Sequence, residues 1–202
     1  MEIFNIVKDI ITLIIAGAGV WVAWSALKTW KKEFIGKKKI DLACDIVEQV
    51  CNMQDLIYYI RLKFCYPREA KEAMEILKKD NDTIKEENIY RLIASYRVYE
   101  KKDEINKFLQ LRNKAQLYWN KNILDLFQEL KTVIFFIRDS SYSYYSKDVL
   151  SKEEIEYYNK IIFYLGDKND EIAIKVQKIV DEFKLNLEPL YKDRLTKWKK
   201  LK

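Results

Sequence analysis

The feature that most constrains this chain is an uncharged run of eighteen residues, Ile10 to Leu27, bounded by Lys8 and Asp9 before it and by Lys28 after it. As a helix rising about 1.5 Å per residue it would extend about 27 Å, close to the hydrocarbon thickness of a bilayer. Eight of its residues are Ile, Leu or Val, together worth about −2 to −5 kcal/mol on an insertion scale before Trp and Ala are counted. The run therefore predicts an N-terminal transmembrane helix. Two other readings stay open. A cleaved signal peptide would carry its positive charges ahead of the apolar run, whereas here they follow it. A core helix of a large bundle can have the same length, but this run is apolar on every face rather than along one stripe.

The flanks give the span an orientation. Trp21, Trp24 and Trp30 crowd its C-terminal end, where an indole can bury its ring and leave its N–H among headgroups. Lys28, Lys31 and Lys32 accompany them, with Lys37, Lys38 and Lys39 just beyond, against only Glu2, Lys8 and Asp9 on the other side. The positive-inside rule then predicts a bacterial inner-membrane protein with its N-terminus out and its C-terminal domain cytoplasmic. Within the span, Thr12, Ala16, Gly19, Ala23 and Ala26 recur at alternating spacings of four and three. They line one face with small residues, where two anchors could pack as a homo-oligomer. Transmembrane helices are rich in Ala and Gly in any case, so the stripe also has a bland explanation.

Beyond the anchor, the 202 residues suffice for one domain with its own core. The expected division is an anchor and juxtamembrane segment over 1–36 and a cytoplasmic helical bundle over 37–202, with Gly36 as a swivel. The net charge of +6 is terminal in origin. Lys28 to Lys39 and Lys192 to Lys202 each hold six basic residues against one acidic, leaving about −4 for the remainder. The basic tail, with Trp198 among its lysines, has the composition of a segment drawn to anionic lipid. Nucleic acid would attract the same charges, but it is the less expected partner. A solvated helix end is an equally good account.

Only four glycines and two prolines occur, and none lies between Pro67 and Gly166, which favours long helices. Ile40, Cys44, Val47, Cys51 and Tyr58 follow helical spacing, predicting a helix over 38–64 that Pro67 stops. A short polar helix over 68–79 and a turn at Asp80 to Asp82 follow. Apolar periodicity then runs from Ile84 to Arg138 with a charged interruption at Glu100 to Glu104, and periodicity does not choose between one helix and a kinked one. Ser140 to Ser146 reads as a serine–tyrosine loop presenting Tyr142, Tyr144 and Tyr145. Ser151 with Glu154 makes a capping box that starts the next helix. Gly166 reads as a helix end, and Pro189 as a kink or restart in the last helix. The sum is an all-α protein: a transmembrane helix followed by an antiparallel bundle of three to four long helices.

Chemistry is sparsely provided for. With no histidine in the sequence, there is no Ser-His-Asp triad, no H-E-x-x-H zinc motif and no E-x-x-H di-iron motif. The one G-x-G element, Gly17 to Gly19, lies inside the apolar span, and no phosphate-cradling G-x-x-x-x-G-K-[ST] loop is present. Cys44, Cys51 and Cys65 sit on or beside apolar helical faces, as buried thiols in a reducing compartment would. No cofactor, metal or catalytic residue is expected. Among seven arginines, Arg61, Arg97, Arg112 and Arg138 lie on or beside apolar stripes, where a planar fork can hold a buried carboxylate, or where the stem can lie along the core with its head in water.

The order of the apolar span, Trp30-Lys31-Lys32-Glu33, Gly36 and Leu42-Ala43 opening a long helix, then Ile60-Arg61, Pro67 and Trp119, resembles small bacterial single-span membrane proteins with a cytoplasmic helical domain. Trp119 is followed by Asn120 where those proteins have glycine. That group has no assigned activity, so the resemblance implies an anchored bundle and transfers no functional residue. The expected role is a membrane-tethered, non-enzymatic module that binds an unknown protein partner, set in a bacterial stress or phage-response system. The alternatives are a membrane-perturbing effector that oligomerises through its anchor, and a membrane-associated nucleic-acid-binding protein.

Overall fold

A computed structural model describes residues 2–80, 89–147, 149–164, 166 and 168–199, with side chains described from residue 11 to residue 190 except at 78–88, 148, 165 and 167. The described residues form seven helices and no strand. These are α1 (Glu2–Ile60), α2 (Pro67–Asp80), α3 (Ile89–Glu100), α4 (Lys102–Ala115), α5 (Lys121–Ser146), α6 (Lys152–Ile162) and α7 (Glu171–Lys199). The all-helical class follows from the scarcity of breakers. Of the glycines only Gly166, in the α6–α7 link, takes a positive φ, at 71°.

The chain divides into two units, Met1–Asp41 and Leu42–Lys202. The first is described by α1 alone. Gly36 is helical within α1, and a Cβ added to it would meet nothing within 4 Å. The expected swivel is therefore corrected: an isolated glycine weakens a helix by about 1 kcal/mol without stopping it. For the same reason the predicted helix over 38–64 is the last part of α1, which ends at Ile60 rather than Phe64.

In the second unit, Ala43, Ile46, Val50, Met53, Ile57 and Ile60 form the buried stripe of α1. Their spacing of three and four is that of one helical face. Helix α5 packs on α3, α4, α6 and α7, and α2 packs on α3. Three rings join α4, α5 and α7: Phe108 and Phe127 lie 4.8 Å apart between centroids, and Phe127 and Phe183 lie 5.0 Å apart edge to face. The α3–α5 seam is closed by small residues. Ser95 Oγ donates to the Arg138 carbonyl at 2.8 Å, Ser141 Oγ donates to the Arg91 carbonyl, and the Ser95 N–H donates to Ser141 Oγ.

The segment from 84 to 138 is interrupted, so the described part of it is three helices. One break falls at Lys101, within the charged run, and a second at Gln116–Asn120, after which Asn120 enters α5 with extended backbone. The expected loop at Ser140–Ser146 is corrected to the last two turns of α5. Ser140, Ser141 and Tyr144 take core-facing positions, with Tyr144 stacked on Tyr158 at 5.3 Å, so tertiary packing overrides the loop-like composition. The capping box forms as expected: Ser151 Oγ accepts the Glu154 N–H, and Glu154 accepts the Ser151 N–H. Gly166 lies past the end of α6, whose C-cap is Phe163. Pro189 stands inside α7 without ending it. Part of the turn expected at Asp80–Asp82, and the side chains of the basic tail, lie outside the described residues.

Candidate functional site

The apolar run is solvent-facing on every side: no part of its most hydrophobic window is buried within the protein, and Leu13 and Trp21 are 72% and 68% exposed. A helix of this composition presents an apolar surface that is costly in water and costs nothing in lipid. Trp21, Trp24 and Trp30 all stand exposed at its C-terminal end. Lys28 Nζ lies 6.0 Å from the Trp24 ring, Trp30 stacks on Phe34 at 5.4 Å, and Lys38 Nζ lies 4.5 Å from the Phe34 ring. Lys31 and Lys32 are exposed on the same helix. The result is a collar of indoles and ammonium groups, chemistry suited to a headgroup layer. Thr12, Ala16, Gly19, Ala23 and Ala26 are exposed too, and their helical spacing sets them within one face of α1.

In the second unit the most constrained chemistry is two arginines buried from solvent. Arg61 donates from Nη1 to Asp170 Oδ1 at 2.9 Å, from Nε to the Ile161 carbonyl at 2.8 Å, and from Nη2 to the Lys160 and Phe163 carbonyls. The Tyr164 N–H in turn donates to the Arg61 carbonyl at 2.7 Å. Asp170 also accepts the Ala173 N–H at the start of α7. Arg61 thereby satisfies carbonyls left open at the end of α6 and ties them to the beginning of α7.

Arg97, on α3, takes Glu69 through Nε and Nη2 and the carbonyls of Tyr59, Ile60, Leu62 and Phe64 through Nη1 and Nη2. Every nitrogen of both guanidiniums is engaged by a carbonyl or a carboxylate of the fold. Of the four arginines read as carboxylate holders, Arg61 and Arg97 are so used. Arg138 pairs with its exposed neighbour Asp139, and Arg112 reaches the Leu124 carbonyl at 3.5 Å.

Sequence reading missed the acidic partners. Glu69 is the acidic residue in the first turn of α2, and Asp170 caps α7, so the N-terminal preference for carboxylates was the available signal. Cys44, Cys51 and Cys65 are free and half-buried rather than fully buried. Burial first, and then the Glu69 carboxylate, push the Cys65 thiol up, away from the thiolate a nucleophile needs. Among the described residues no three of His, Cys, Asp and Glu gather as a metal set. Comparison of the chain with protein-family models, curated proteins and solved structures finds no match.

Proposed function

We propose that the chain is a membrane-tethered, non-enzymatic helical interaction module. Its N-terminal span inserts in a bacterial-type inner membrane with the N-terminus out, and the helical domain works on the cytoplasmic side by binding a protein partner. The observation that carries the reading is the exposure of the apolar run on all faces: lipid is the solvent in which such a surface is stable. The aromatic and lysine collar supports the orientation. The engagement of every Arg61 and Arg97 nitrogen by backbone or carboxylate supports a scaffold rather than a reactive site. The resemblance to single-span proteins with a cytoplasmic helical domain points the same way.

Fractionation of cells expressing the full chain tests it. The protein should sediment with membranes, resist an alkaline wash, and have its helical domain digested by protease only after the membrane is opened. Recovery in the soluble fraction, or digestion of the domain in intact cells, overturns the reading.

A further inference from the structure

Helix α7 carries an exposed stripe that its own fold leaves uncovered. Ile174 and Leu185 are 55% and 71% exposed, and with Tyr58, Lys178 and Asp181 they line an open groove of about 720 Å³. The buried face of α7, Val176, Ile179, Val180 and Phe183, faces the core, so this is a separate face, with an apolar residue at each end and two opposite charges between them. Its order is a mirror of itself. Ile174 and Leu185 lie equally far from the midpoint between Ile179 and Val180, and so do Lys178 and Asp181.

From this arrangement the geometry points to a second copy of the chain as the occupant, with two α7 helices lying antiparallel across a two-fold axis at that midpoint. The spacings of four, three and four between Ile174, Lys178, Asp181 and Leu185 are those of a helix-pairing seam. Antiparallel pairing sets Ile174 against the second copy's Leu185 and Lys178 against its Asp181, each pair occurring twice, as an isologous interface requires. On one flank Lys175 meets Glu182 of the other copy, a further opposite-charge pair. Glu171 and Glu188 lie at the ends of the stripe on opposite flanks, which limits the seam to about three turns. In the single chain Lys178 reaches Glu182 only at 3.9 Å and Asp181 accepts from Gln177, so both charges remain available at the surface. A seam of this size belongs with weak, reversible contacts. The inference does not rest on the anchor.

Sedimentation of the full chain in detergent micelles, over a range of protein concentrations, reads the association. The native chain should self-associate, and Lys178→Glu and Asp181→Lys should each weaken it at least about tenfold by placing like charges together. An equimolar mixture of the two variants should restore it, because each cross pair is again opposite in sign. Since a variant that misfolds would also fail to associate, oxidation of Ile174→Cys/Leu185→Cys gives a second readout at two exposed positions. The doubly substituted chain should form a covalent dimer, and neither single substitution should do so. A native chain that stays monomeric, variants that associate as the native chain does, or a charge mixture and a cysteine pair that both fail, overturns the proposal.

Discussion

Arg97 Nε and Nη2 hold the two carboxylate oxygens of Glu69 at 2.6 and 3.0 Å, and the same guanidinium reaches the Leu62 and Phe64 carbonyls at 2.6 and 2.7 Å. Helix α1 has no basic residue in its last turn. Its open carbonyls are closed from α3 instead, by a residue that also anchors the first turn of α2.

Arg97→Met removes one partner of this buried pair and takes a donor from the Ile60, Leu62 and Phe64 carbonyls, while the Tyr59 carbonyl keeps the Leu62 N–H. Loss of one partner costs about 3–5 kcal/mol, which should appear as a large drop in the midpoint of thermal or denaturant unfolding. Arg97→Lys, which keeps the charge and loses the fork, should fall between Met and the native chain. Equal midpoints for Arg97→Met and the native chain would show that the pair is not formed.

Arg61 is expected to act on a different segment. Arg61→Met frees the Lys160, Ile161 and Phe163 carbonyls and unpairs Asp170, so the loss is concentrated where α6 ends and α7 begins. Amide exchange across 160–173 should accelerate more than exchange in the α3–α5 seam. In a double-mutant cycle Asp170→Asn should cost much less in the Arg61→Met background than in the native chain. Additive effects of the two substitutions would exclude coupling.

Alkaline pH should loosen the fold through tyrosines. Burial first, and then the hydrogen bond to Glu72 at 3.2 Å, push Tyr96 from its usual value near 10 up to about 12. Tyr59, half-buried and donating to Glu100 at 3.0 Å, moves the same way. Because the folded value of Tyr96 is the higher one, its contribution is fully present below about pH 10 and is lost as the pH rises through about 12. Unfolding midpoints measured across that window should fall less steeply for Tyr96→Phe than for the native chain. Parallel slopes would mean that Tyr96 is not shifted.

How much of this was legible in the sequence depends on how local each signal was. The all-helical class follows from breaker-poor, periodic sequence, and the Ser151–Glu154 box is contained in four residues. Arg61 and Arg97 were visible as cations beside apolar stripes. Their carboxylates were not, because Glu69 and Asp170 lie twenty-eight and one hundred and nine positions away and only the fold brings them near. Ser140 to Ser146 misled for a related reason: serine and tyrosine are turn-like in isolation, but at the α3–α5 seam a small hydroxyl fits where two backbones approach. At Gly36 a single glycine does not break a helix that continues on both sides of it.

The proposed anchoring yields the most direct prediction. On the proposed reading the apolar run gains only about 2 to 5 kcal/mol on insertion from its aliphatic residues, while one arginine near the centre of a span costs about 2.5–3.5 kcal/mol. Val20→Arg should therefore shift the chain measurably toward the soluble fraction, and Ile15→Arg/Val20→Arg should release most of it. Leu117→Arg places the same charge on a side chain that is already 78% exposed in the second unit, and should leave the partition unchanged. If the double arginine variant still sediments with membranes and resists an alkaline wash, the apolar run is not what holds the protein there. The basic segments, whose attraction for anionic lipid falls with added salt, would then be the determinant, and high salt rather than arginine substitution would release the chain.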